Sequence, residues 1–166
     1  MKVINLFAGP GAGKSTAAAG LFALMKSAGH KVKLVTEYAK DLHYGKDWQR
    51  LGCQLVVTAE QYFRVYRLQD EVDWVITDSP IALGVIYAKT SWERAAALEA
   101  FRQFHNESFF INRVKPYAPY GRRHSEDSAR VIDKQVRDML MNRRVRYKGI
   151  DGDVDAPRNI YKALFL

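Results

Sequence analysis

The chain has 166 residues, 48% hydrophobic and 27% charged, with a net charge of +8. That length suits one domain, residues 1–166, with a full hydrophobic core. No apolar run approaches the roughly 20 residues a membrane helix needs, and one cysteine, Cys53, excludes an internal disulfide and a cysteine-built zinc site.

One Lys precedes an apolar stretch that runs straight into a Gly-rich turn, which is too short a lead for a signal peptide. The expectation is a cytoplasmic protein. The charge is unevenly placed. Arg102 to Lys148 holds 12 basic residues against 5 acidic ones, nearly the whole excess. Such a segment suggests a polyanionic partner, a nucleotide or DNA. Arginines that clamp a nucleotide, with the rest a solvated face, would give the same count. The sequence does not fix the oligomeric state and is compatible with a homodimer.

Val3 to Ala8 is a nearly continuous apolar run and reads as a buried parallel strand. The turn Gly9-Pro10-Gly11-Ala12-Gly13 follows, then Lys14-Ser15-Thr16 opens a helical pattern. Strand, Gly-rich turn, Gly-Lys-Ser and helix form the signature of a phosphate-binding loop. Gly9, Gly11 and Gly13 can take positive φ and turn amides inward, and the helix start adds its dipole. Lys14 is expected to reach the β- and γ-phosphates of ATP, and the Ser15 hydroxyl to ligate Mg²⁺. The usual pattern begins with Gly, and here Ala8 stands in that place.

The helix from Ser15 to Ala28 carries Ala17, Leu21, Leu24, Met25 and Ala28 on one face, and Gly29 stops it. Lys31 to Glu37 is a second strand, so the start is a βαβ unit. Glu37 falls at its carboxyl end, where open α/β sheets bind ligands, and is a candidate to face the acceptor. Tyr38 to Gln49 reads as a short helix and a loop whose aromatics, Tyr38, His43, Tyr44 and Trp48, could line an acceptor pocket. Gln54 to Gln69 reads as a helix packed through Leu55, Ala59, Tyr62, Phe63, Tyr66 and Leu68. Its Gln61 could read a base edge and its Arg64 could hold a phosphate.

Asp73 to Asp78 is a third strand ending in a carboxylate, as in a Walker B strand whose Asp holds Mg²⁺. Ser79-Pro80 is expected to start a helix to about Ala88, with another from Ser91 to about His105. Ser108 to Val114 is a fourth strand. The loop of about residues 115–124 carries the pair Arg122-Arg123 and suits a lid over ATP, with Arg113 just before it. A helix follows, opened by Ser125 and striped by Ala129, Ile132, Val136 and Leu140. A fifth strand over Tyr147 to Ile150 and a helix over Asn159 to Leu166 complete the chain. The four histidines show no metal-site spacing. The fold class is α/β: three layers, a mainly parallel five-stranded sheet with helices on both faces, and a short Arg-bearing lid.

With these pieces in place, the chain resembles the small P-loop kinases of the thymidylate-kinase and deoxynucleoside-kinase group. In particular it resembles compact kinase-like ATPases encoded by bacteriophages, which would put it in a host cytoplasm. The resemblance implies that Lys14 and Ser15 bind ATP and Mg²⁺. It also implies that Glu37 serves the acceptor, that Asp78 is the carboxylate after the third strand, and that Arg122 and Arg123 are lid arginines. Thymidylate kinases follow that third strand with Asp-Arg, whereas this chain has Asp78-Ser79-Pro80. The missing Arg would grip a monophosphate, so a hydroxyl acceptor is favoured. Phage relatives phosphorylate 5-hydroxymethyluracil within DNA, and the basic segment suits such a substrate. Glu37, Tyr38, Gln61, Arg64 and Arg113 are the substrate-side candidates. Other readings are a free deoxynucleoside or monophosphate kinase, an ATPase switch with Arg143 or Arg144 as a finger, and a DNA-binding ATPase.

Overall fold

A strand with both faces covered needs a near-continuous apolar run, and Lys2–Phe7 supplies it. In the computed structural model, which describes residues 1–114 and 125–166, this segment is β1, the middle strand of the sheet. Val3, Ile4, Leu6 and Phe7 are at most 1% exposed. Among the described residues the other strands are β2 (Val32–Val35), β3 (Trp74–Thr77), β4 (His105–Asn112) and β5 (Lys148–Asp151). Their order is β2-β3-β1-β4-β5, and every neighbouring pair is parallel. The sheet expected to be mainly parallel is therefore wholly so.

The helices are α1 (Lys14–Ser27), α2 (Tyr38–Tyr44), α3 (Trp48–Leu51), α4 (Gln54–Tyr66), α5 (Gly84–Tyr87), α6 (Ser91–Arg102), α7 (Glu126–Asn142) and α8 (Ala156–Phe165). They cover both faces, with α1 against α8 on one and α4, α5 and α6 packed together on the other. Parallel strands end at a common edge. The segments starting at Ala8, Thr36, Asp78 and Arg113 therefore leave the sheet side by side, where ligands bind in this architecture.

Local signals end the helices where expected. Gly29 has φ 85°, and the next amide, His30 N–H, donates back to the Met25 carbonyl at 3.0 Å. The Ser125 hydroxyl caps α7 by accepting from the Ser128 amide at 3.2 Å. Ala129, Ile132, Val136 and Leu140 are all buried, as their spacing predicts.

Several local expectations need correction. On α1, Leu24 and Ala28 are exposed rather than part of the buried face, and β4 starts at His105 rather than Ser108. On α4 the buried residues are Thr58, Gln61 and Val65, while Leu55, Phe63 and Tyr66 are 39%, 53% and 50% exposed. The helix is turned so that the Gln61 amide bonds the backbone after β2, where it accepts from the Tyr38 amide and donates to the Thr36 carbonyl. Gln61 is itself buried, and these bonds satisfy its amide. Ser79 does not cap a helix. Its amide donates to Thr77 Oγ1, Pro80 runs extended at ψ 137°, and a 3₁₀ turn (Ile81–Leu83) leads into the four residues of α5. Finally, α8 starts at Ala156 with Pro157 in its first turn, before the expected Asn159.

Candidate functional site

The phosphate loop has the shape its glycines imply, though not for one common reason. Gly11 and Gly13 have φ 82° and 103°, in the left-handed region that L side chains avoid. Gly9 does not need positive φ. A Cβ there would lie 2.6 Å from the Ala129 carbonyl and 2.9 Å from Asp133 Oδ1, so Gly9 is required by the close approach of α7. Gly13 is the N-cap of α1 and offers no side chain to the first-turn amides. Those amides and the dipole face the loop, a ready anion site.

Lys14 Nζ donates to the carbonyls of Ala8 at 2.9 Å and Gly9 at 3.0 Å. Burial lowers its pKa, opposed by the negative charges of Glu37, Asp78 and Asp133. The Ser15 hydroxyl donates to Asp78 Oδ2 at 2.5 Å, from the first turn of α1 to the residue after β3. Asp78 is 5% exposed, and its Oδ1 has no hydrogen-bond partner among the described residues. A buried carboxylate oxygen left open beside a hydroxyl is what a hard divalent cation can complete, so Ser15 and Asp78 fit a Mg²⁺ site.

Glu37 occupies the N-cap position of α2 but makes no side-chain capping bond. Its carboxylate stays available to the site. Burial raises its pKa above the usual glutamate value; Lys14 opposes this, and the nearby Asp78 charge adds to it. The hydroxyl of Tyr87 on α5 is also raised, by burial first and by the charge of Glu37 second.

Lys14, Ser15, Thr16, Glu37 and Asp78 border one cavity of about 750 Å³. Pro10, Gly11 and Gly13 form its phosphate-loop wall, while His43, Leu51, Val57, Thr58 and Tyr87 form the far wall. Gly9 and Ala12 lie outside this lining: Gly9 is packed by α7, and Ala12 is 5% exposed. His43 and Tyr44 line the cavity as anticipated; Tyr38 and Trp48 are not part of the lining.

Of the other sequence candidates, Arg64 and Arg113 are engaged outside the cavity lining. Gln61 borders the cavity, but its amide braces Tyr38 and Thr36. Arg64 pairs with Asp41 at 2.7 Å and Glu60 at 3.2 Å, and its guanidinium lies 4.8 Å from the Tyr38 ring centre. Arg113 is held by Asp133 at 2.9 Å and donates to the Pro10 carbonyl at 2.7 Å, behind the loop. Arg122 and Arg123, and the whole lid segment, lie outside the described residues. Within the basic segment, Arg102 pairs with Glu99, Arg130 with Glu126, and Arg137 stacks 3.7 Å over Phe110.

Sequence reasoning missed Tyr87, Thr58 and Asp133. Thr58 and Tyr87 carry no local signal, since tertiary packing alone turns them to the site. Asp133 does carry one. It sits four residues after buried Ala129 and three before buried Val136, a charge on an apolar stripe.

The model of the AAA domain family matches residues 3–156. The chain belongs to this family. Membership makes it a nucleotide-binding P-loop domain, in agreement with the loop, the parallel sheet and the carboxylate beside Ser15. No curated protein gives a significant match to the chain. Among the described residues no helix is long and apolar enough to cross a membrane.

Proposed function

We propose that this AAA-family domain is an ATP-dependent phosphotransferase. It moves the γ-phosphate of ATP to a nucleotide-type acceptor, best matched by a hydroxyl on a modified pyrimidine such as 5-hydroxymethyluracil in DNA. One observation carries the reading. Glu37, with its pKa raised by burial, borders the same cavity as Lys14 and Asp78, and that cavity continues past it to a partly apolar wall. Water as the acceptor would need no such chamber, whereas an organic acceptor does.

In this reading the loop amides and Lys14 hold the phosphates, and Ser15 and Asp78 hold Mg²⁺, which supplies charge neutralisation when bound. Glu37 accepts the acceptor's proton while the acceptor oxygen bonds to phosphorus and ADP leaves. A carboxylate raised toward neutral pH is a better base than a solvated one. Arg122 and Arg123 are the candidates for neutralising charge on the transferring group. The absence of Arg after Asp78 favours a hydroxyl over a monophosphate acceptor. The basic segment favours an acceptor carried in DNA.

Incubation with γ-labelled ATP and a panel of nucleosides, monophosphates and modified DNAs tests it. Label should enter hydroxymethylated DNA, and the apparent affinity for DNA should fall steeply with salt. Label on a free nucleoside or monophosphate would redirect the acceptor. Release of inorganic phosphate alone, with no labelled acceptor, would support the second reading, an ATPase, which the AAA family membership favours.

A further inference from the structure

Behind the phosphate loop lies a linked set of polar contacts. Asp133 on α7 accepts from the Gly9 amide at 2.6 Å through Oδ1 and from Arg113 Nε at 2.9 Å through Oδ2. Arg113, just after β4, also donates from Nη2 to the Pro10 carbonyl at 2.7 Å. The two charged side chains are 4% exposed for Arg113 and 16% for Asp133. Burying an ion pair is a weak device for stability, because apolar residues of similar volume commonly do as well or better. A buried pair that reaches backbone groups on two successive residues does something apolar residues cannot: it fixes the peptide planes on either side of the Gly9-Pro10 bond. Pro10 has no N–H, so its carbonyl is the one main-chain group of that residue that can be held by a hydrogen bond.

The orientation of Gly9-Pro10 matters in two ways. It sets the direction from which Gly11 to Lys14 enter their turn. It also sets where the Gly9 carbonyl receives the Lys14 ammonium, 3.0 Å away. The close approach of Ala129 to Gly9 leaves that segment no room to relax sideways.

We propose that Asp133 and Arg113 are positioning residues. They hold the first half of the phosphate loop in its anion-ready shape and make nucleotide affinity depend on how α7 is seated. The inference needs nucleotide binding alone and stands whether the domain transfers phosphate or hydrolyses ATP.

Calorimetric titration of the full chain with MgATP tests it. Asp133→Asn keeps an acceptor for Gly9 but loses the charge, and should bind about tenfold more weakly. Asp133→Ala should lose roughly 100-fold, the scale of a misplaced binding group. The discriminating variant is the apolar pair Asp133→Leu with Arg113→Met. It should melt within a few degrees of the natural chain yet lose nucleotide affinity as Asp133→Ala does. A folded double variant that binds MgATP within twofold of the natural chain would overturn the proposal. Should the double variant not fold, amide exchange on the natural chain decides. Gly9 N–H should be strongly protected without nucleotide, and exchange as fast as an open loop would overturn the proposal equally.

Discussion

The two walls of the cavity are built in opposite ways. The phosphate wall is one contiguous stretch, Ala8 to Thr16, whose donors are mostly backbone amides and whose shape follows from two left-handed glycines and a helix start. The facing wall is assembled from α2, α3, α4, α5 and the turn after β3, with α2 and α4 giving four residues each. Donors fixed within one short stretch depend together on the few residues that set and hold its turn. A wall of separate side chains loses them one at a time. The phosphate wall should therefore fail through few residues and all at once, while the facing wall should fail gradually and selectively.

The largest effect is expected where the two walls meet. Glu37→Gln should lower transfer roughly 100- to 10,000-fold, with MgATP affinity unchanged by direct titration. Unimpaired transfer would remove the facing wall's claim to chemistry. The same residue sets a pH dependence. A base must be ionised, so kcat/KM should rise with pH through the raised pKa of Glu37, with its acid limb above the usual glutamate range. The stability sign is the reverse. The folded state binds this proton more tightly than the unfolded chain, so Glu37 lowers stability as pH rises from the unfolded to the folded pKa. Glu37→Gln cannot ionise and should melt at a higher temperature than the natural chain at neutral pH, which thermal scans at acid and neutral pH would read.

Lys14→Ala should weaken nucleotide binding and turnover together, by about 100- to 1000-fold, measured by titration and by ADP release. Loss of turnover with ATP affinity intact would move Lys14 from the binding wall to the chemistry alone. Asp78→Asn should raise the Mg²⁺ concentration needed for half-maximal activity by roughly 10- to 100-fold, the usual scale for weakened metal sites. A variant insensitive to Mg²⁺ concentration would place the metal elsewhere. The smallest effect is on the far wall. Val57→Ala should lower kcat/KM for the acceptor by about tenfold and leave MgATP affinity unchanged, and an equal loss on both substrates would erase the contrast between the walls.

The contrast also explains what could be read from the sequence alone. Lys14, Ser15, Glu37 and Asp78 were legible because each stands at the end of an apolar run or the start of a helix. A parallel sheet then carries every strand end to one edge. The outward turn of Leu55, Phe63 and Tyr66 was not legible, because spacing identifies an apolar face but cannot say that Gln61 is buried with Tyr38 and Thr36 as its hydrogen-bond partners. Nor was the role of Arg113, which reads as a substrate residue until Asp133 is found beside it. By itself the sequence determined the sheet, the phosphate loop and the acids at the strand ends, since all of these rest on short-range pattern and chain connectivity. Only the tertiary structure decided which side chains close the cavity and what braces the loop from behind. Those contacts join residues up to 124 positions apart, and no local periodicity encodes the balance of burial and hydrogen bonding that selects them.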